Sequence, residues 1–185
     1  MSSDLVSRRS FSVRLAAFLP GLVALRPMRW EGAARPLSSE EVTYTSEAIH
    51  QEVTFQATPQ RVYAALTEPR RFGRVVELSG AMAGTPPGTA TALISSTLGG
   101  TFALFGGQIV GRHLELVPGE RLVQGWRVAG WQPGIFSIAR FELSAERSGT
   151  HLTFDHTGFP KGDGKALASG WTEHYWQPLA KYLAE

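Results

Sequence analysis

Residues 164–184 read GKALASGWTEHYWQPLAKYLA, and within them Leu167, Trp171, Tyr175, Leu179 and Leu183 recur at every fourth position. That spacing lays an apolar stripe along one side of a long helix. Pro178 lacks the N–H that would bond the carbonyl of His174, so a bend is expected near it. A helix with one apolar face needs an apolar surface to lie on, and the preceding chain must provide it.

Segments 89–97, 101–105, 108–117, 121–128, 135–144 and 150–157 are rich in β-branched and aromatic residues and are separated by Gly- or Pro-containing turns, which predicts strands. Pro118-Gly119-Glu120 and Arg147-Ser148-Gly149 read as tight turns. Gly99-Gly100 and Gly106-Gly107 suit hairpin turns better than phosphate loops. Links this short make the strands antiparallel neighbours, since a parallel crossover takes about a dozen residues or more. Farther upstream, Ile49, Val53 and Phe55 share one face of 47–57, which predicts another half-buried strand. Thr58-Pro59 opens a helix, with Thr58 as N-cap and Pro59 in the first position. Glu68-Pro69 ends it, and a second short helix is expected over 69–75. The order is strand, two short helices, about six strands and one long helix. The expected class is α+β: a curved antiparallel sheet of about six to seven strands, wrapped on the C-terminal helix.

The chain has 185 residues, 43% of them hydrophobic, with ten Phe, five Trp and four Tyr. That is enough to bury a core without metal or disulfide staples. The absence of cysteine removes disulfides, thiolate metal sites, iron–sulfur clusters and cysteine nucleophiles together. Of 18 basic and 16 acidic residues, six arginines and four acids lie in 1–46, which leaves the rest balanced at twelve each. A nucleic-acid binder needs a clustered basic footprint, and 47–185 shows none beyond Arg70, Arg71 and Arg74, which read as a solvated helix face. No nucleic-acid partner is expected.

At the N-terminus, Ser7-Arg8-Arg9-Ser10-Phe11 precedes the short apolar run Leu15–Leu25. The run is too short for a stable membrane anchor, and Pro20-Gly21 would break a core helix. The arginine pair Arg8 and Arg9 resembles a twin-arginine export signal. The expected organisation is a signal peptide over 1–35, a polar linker over 36–46 and a domain over 47–185. It places the domain in the periplasm or outside the cell, with no integral membrane association once the signal is removed. Residues 32–34 (Gly-Ala-Ala) make a poor cleavage site, so a misassigned start codon or a disordered cytoplasmic tail stays open as the alternative.

Several motifs in 47–185 sharpen the fold. Gly106-Gly107-Gln108-Ile109-Val110-Gly111 followed by Leu114-Glu115-Leu116-Val117-Pro118 looks like the central hairpin of a known family, and Trp126-Arg127 with Trp131, Gly134 and Ser137 resembles its next strand pair. Thr150, Leu152, His156, Gly158 and Phe159-Pro160 then lead to the closing Gly170-Trp171, Tyr175-Trp176, Pro178-Leu179 and Tyr182-Leu183. Together they resemble the bacterial activator of Hsp90 ATPase homologue (AHSA1-like) family of the SRPBCC superfamily, over nearly all of 47–185. The resemblance implies the helix-grip (START/Bet v 1-like) fold, in which sheet and long helix enclose an apolar cavity. It also implies kinship with co-chaperones, whose eukaryotic members carry a separate N-terminal domain that does much of the work on Hsp90. Residues 1–46 do not look like that domain, and export would keep this chain from cytosolic Hsp90. The activator role is therefore not carried over as a function.

Trp126, Trp131, Phe141, Phe154, Trp171 and Tyr175 are candidates to line such a cavity, although any one of them alone reads as plain core. His156 shares a strand face with Leu152 and Phe154 by alternation, which would put an imidazole among apolar side chains. It is a ligand-orienting candidate, or a structural histidine bonded to its surroundings. Asp155 points to the opposite face, so the two are no catalytic dyad. His50, His113, His151 and His174 lack metal-ligand spacing, and no hydrolase elbow, phosphate loop or close acid pair occurs. No catalytic residue, metal or cofactor is assigned. Three readings remain: a non-catalytic carrier or sensor of a small apolar molecule, a protein-interaction module with a filled core, and a cyclase- or hydrolase-like enzyme using His156 with a nearby Arg or Tyr.

Overall fold

The computed structural model describes residues 47–85, 89 and 91–185. The leader and linker expectations fall outside them. Strand β1 (Ala48–Phe55) is followed by helices α1 (Pro59–Thr67) and α2 (Pro69–Ser79). Six strands come next: β2 (Ala92–Ile94), β3 (Thr101–Leu104), β4 (Ile109–Val117), β5 (Arg121–Val128), β6 (Ser137–Glu146) and β7 (Gly149–Thr157). The C-terminal helix runs through α3 (Gly164–Trp171), a π-helical turn (Thr172–Trp176) and α4 (Gln177–Ala184). The seven strands form one sheet in the order β1-β7-β6-β5-β4-β3-β2, antiparallel at every junction.

Local chemistry explains most boundaries. The Thr58 hydroxyl accepts from the Arg61 N–H at 3.3 Å, the N-cap its sequence called for. Helix α2 runs four residues beyond the expected 75, because Val75 and Val76 are buried and the stop is Gly80, in the left-handed region at φ 69°. Strand β2 is far shorter than 89–97. The Ser95 hydroxyl accepts from the Thr97 N–H and pairs with the Thr97 hydroxyl, an alternative to the ladder that bends the chain away. Strand β6 lies two residues later than 135–144.

Register puts Phe102, Gly111, Trp126 and Ser137 in line across the inner face, and His156 on β7 pairs with Ala139 and Ile49. Gly111 is required by packing: a Cβ there would overlap the Gly125 carbonyl oxygen and the Phe102 ring. Two side chains fasten the C-terminal helix. Glu47 accepts from the Gly162 and Gly164 N–H groups at 3.0 and 3.1 Å, which sets a carboxylate at the helix start, where the dipole favours it. Gln51 on β1 accepts from the Trp176 indole at 2.7 Å and donates to the Ala168 carbonyl at 3.1 Å. Between those points the helix widens: the Gln177 N–H donates to the Thr172 carbonyl, five residues back, one residue before Pro178. The π turn brings the consecutive Tyr175 and Trp176 both into the core.

Candidate functional site

Between the inner face and the C-terminal helix lies a cavity of about 210 Å³. Its floor is aromatic: Trp126 from β5, Trp171 and Tyr175 from the helix, and Phe105 from the β3–β4 turn. The rings form a chain, with centroids 5.4 Å apart for Trp126–Trp171, 4.2 Å for Trp171–Tyr175 and 5.4 Å for Phe105–Tyr175. Ile109, Val128 and Leu167 make aliphatic walls, while Ala81, Ala166 and Gly170 leave the space open. The polar lining residues are Gln108, which is exposed, and His174, which is half-buried. Among the described residues no Lys, Arg, Asp or Glu lines it.

The β3–β4 turn shapes this wall. Phe105, Gly106 and Gly107 all have positive φ, at 52°, 65° and 90°. For a phenylalanine that conformation costs about 1–2 kcal/mol. It is held because the Phe105 ring packs edge-on against Phe72 and Tyr175, at 5.8 and 5.4 Å between centroids.

Of the sequence candidates, Trp126, Trp171 and Tyr175 line the cavity. Phe141, Phe154 and His156 are buried but sit behind Trp171, with centroids 5.8, 4.3 and 5.5 Å from it. Trp131 packs edge-on against Trp126 at 5.7 Å and donates its indole N–H to Asp163 at 2.9 Å. It is tied to the loop before the helix rather than to the cavity. Phe105, Gln108, Ile109, Val128 and His174 line the cavity without having been singled out for it. His174 lacks metal-ligand spacing, and a helical position facing an opening leaves no mark in spacing.

His156 belongs to a hydrogen-bond chain. Its Nδ1 accepts from the Trp171 indole at 3.0 Å, and its Nε2 faces the Ser137 hydroxyl at 2.7 Å. That hydroxyl bonds the Trp126 carbonyl at 2.9 Å and must donate there. An indole only donates, so the tautomer is fixed with the proton on Nε2. Burial lowers the His156 pKa to about 4, so the ring is neutral and acts as a strut between Trp171 and β6. Asp155, on the outer face, bonds His50 at 2.7 Å instead.

Burial raises the Tyr175 hydroxyl well above the ordinary phenol value, so it keeps its proton. The Trp126 indole N–H offsets a little of that shift without meeting hydrogen-bond geometry. Trp126 Nε1, Tyr175 Oη and His174 Nδ1 are thus sealed without partners, each at a cost of about 1–3 kcal/mol. All three belong to residues of this one cavity. Elsewhere, both ring nitrogens of His113 are sealed; burial lowers its pKa, and the nearby Ser95 backbone offsets part of that without meeting hydrogen-bond geometry. Among the described residues no group of three or more His, Asp or Glu could hold a metal ion. None of their helices is long and apolar enough to cross a membrane.

The model of the activator of Hsp90 ATPase homolog 1-like family matches residues 56–184. The human protein "Activator of 90 kDa heat shock protein ATPase homolog 1" is 25% identical over 126 residues, which are 68% of this chain and 34% of that protein. A Dictyostelium discoideum protein with the name "Activator of 90 kDa heat shock protein ATPase homolog" is 34% identical over 74 residues, 40% of this chain and 19% of its own. The chain therefore spans about a third or less of these curated relatives. Among solved structures, an HSP90 activator from Plasmodium falciparum superposes with a TM-score of 0.61 at 23% identity, covering 75% of this chain and 96% of that one. A Chromobacterium violaceum protein does so with a TM-score of 0.57 at 25% identity, covering 75% and 97%. The superpositions show the helix-grip fold, and the match over 56–184 shows that this chain belongs to the activator of Hsp90 ATPase homolog 1-like family.

Proposed function

We propose that the domain is a non-catalytic binder of a small apolar molecule, held between the sheet and the C-terminal helix. The observation that carries this reading is the cavity of about 210 Å³ with an aromatic floor. A filled core would close that space, because interiors pack to crystal-like density. Ligand sites are concave and mostly apolar with a few polar groups, as here. Among the described residues no nucleophile–base pair faces the cavity, and His156 is locked as a strut, so binding rather than turnover suits the geometry. The test is native mass spectrometry of the full chain purified without detergent, compared after denaturation. A discrete extra mass, lost on denaturation and weakened by Gly170→Leu, is expected. A clean apo mass that persists after incubation with mixtures of lipids and aromatic compounds counts against it.

A second reading rests on the outer sheet face, where Leu93, Leu114, Phe136 and Ile138 are exposed. Exposed apolar clusters mark interaction surfaces, and curated relatives carry the name of Hsp90 ATPase activators. Titration of the protein against purified Hsp90, with Phe136→Glu as the control, decides it. Binding lost in the variant supports an interaction module; no binding by either protein removes it.

A further inference from the structure

We infer that the cavity selects an uncharged, flat ring compound with one hydrogen-bonding group, its ring on the aromatic floor and its polar group at His174. This rests on the cavity-binding reading above and narrows it to a chemical class.

Size sets the first limit. A dry apolar cavity of about 150 Å³ takes benzene, and drug-sized ligands need about 300–1,000 Å³. At about 210 Å³ the space suits one ring or two fused rings, not a fatty acyl chain or a polyketide. Shape follows from the floor, where Phe105, Trp126, Trp171 and Tyr175 present contiguous ring surfaces. Aromatic partners settle on such surfaces in stacked or edge-on arrangements that add to simple area burial. Composition disfavours charge: with no Lys, Arg, Asp or Glu among the described lining residues, a buried carboxylate or ammonium would lose its hydration with nothing in exchange.

The polar end is placed by what remains unbonded. No hydrogen bond reaches the His174 ring from any described residue, and Nδ1 is sealed while Nε2 is not. Nε2 is therefore the ring atom open to a ligand hydroxyl or carbonyl. Trp126 Nε1 and Tyr175 Oη, although unpartnered, are walled off and would need side-chain movement to reach a ligand. Phe105 fits the same picture. Its left-handed conformation, at φ 52°, aims the ring at His174 and Tyr175, with centroids 6.3 and 5.4 Å away. Strain of that kind in a non-glycine residue concentrates at ligand clamps.

The experiment titrates the full chain with naphthalene, 1-naphthol and 1-naphthoate at pH 7.5, by calorimetry and by quenching of tryptophan fluorescence. Wild type should bind 1-naphthol about fivefold tighter than naphthalene, the factor that one neutral hydrogen bond gives. It should bind 1-naphthoate about a hundredfold more weakly than 1-naphthol, or not at all. His174→Phe keeps a ring in place and should remove the preference for 1-naphthol while leaving naphthalene unchanged. Gly170→Leu, which fills the cavity, should abolish binding of both. Equal binding of 1-naphthoate and 1-naphthol, or a naphthol preference untouched by His174→Phe, overturns the inferred class but leaves the cavity reading standing. Failure of all three compounds to bind, or binding that survives Gly170→Leu, overturns both.

Discussion

Acidification should destabilise this domain through His156. The neutral ring accepts the Trp171 indole proton on Nδ1, so a proton added there meets an N–H that only donates. The folded pKa is about 4 against an ordinary 6.5. As the pH falls below 6.5 the unfolded chain takes up its proton first, and stability drops until the folded ring also titrates. The gap is about 2.5 units at about 1.4 kcal/mol each, so about 3 kcal/mol should be lost between pH 6.5 and 4. His113, whose pKa is also lowered by burial, acts in the same direction. His50 acts in the opposite one: its hydrogen bond to Asp155 raises its pKa, a contribution present below 6.5 and lost as pH rises through the raised value. It is fully exposed and screened, so its part is small. The assay is urea unfolding at several values from pH 8 to 4, followed by tryptophan fluorescence, for wild type and His156→Gln. The variant should be less stable at pH 8 by about 1–3 kcal/mol and lose most of the acid sensitivity. Parallel pH profiles for the two proteins would refute a neutral, desolvated His156.

Three further outcomes are expected. Gly170 lies within α3, and a methyl group there would meet nothing within 4 Å outside its own helix, so Gly170→Ala should stabilise the helix by up to about 1 kcal/mol in the same urea assay. Gly111→Ala forces a methyl group into the Gly125 carbonyl and the Phe102 ring. It should cost about 3 kcal/mol or abolish soluble expression, read as the shift in urea midpoint. For the leader we propose twin-arginine export: a reporter fused after residue 46 should reach the periplasm, and Arg8→Lys with Arg9→Lys should retain it in the cytoplasm, read by fractionation.

The fold was legible because its signals are periodic. Thr58-Pro59, alternation in β1 and short Gly turns specify the element order through local signals alone. The four-residue repeat from Leu167 to Leu183 held more than it first showed. Four residues of α-helix turn through about 400°, so a strict repeat drifts around the helix. The π turn over Thr172–Trp176 holds an extra residue and takes up part of that drift. Pro178 marked where this happens, although the π turn rather than a simple bend is what the chain adopts. The cavity was legible only in part. Trp126, Phe141 and Phe154 alternate alike on one sheet face, and which of them meets open space depends on what the helix covers. Phe105 was hidden for another reason: its left-handed turn is held by tertiary contacts with Phe72 and Tyr175, which local propensity does not encode. Short β2 shows the same limit in reverse, because a side-chain bond at Ser95 overrode a good strand pattern.

The most direct measurement is a crystal structure of the protein purified without detergent and soaked in 1-naphthol. Density for the ring between Trp126, Trp171 and Tyr175, with its oxygen near His174 Nε2, is the expected result. A collapsed interior, with Leu167 or Tyr175 turned into the space and no ligand density, would contradict a ligand-binding cavity and leave the outer sheet face as the site of function.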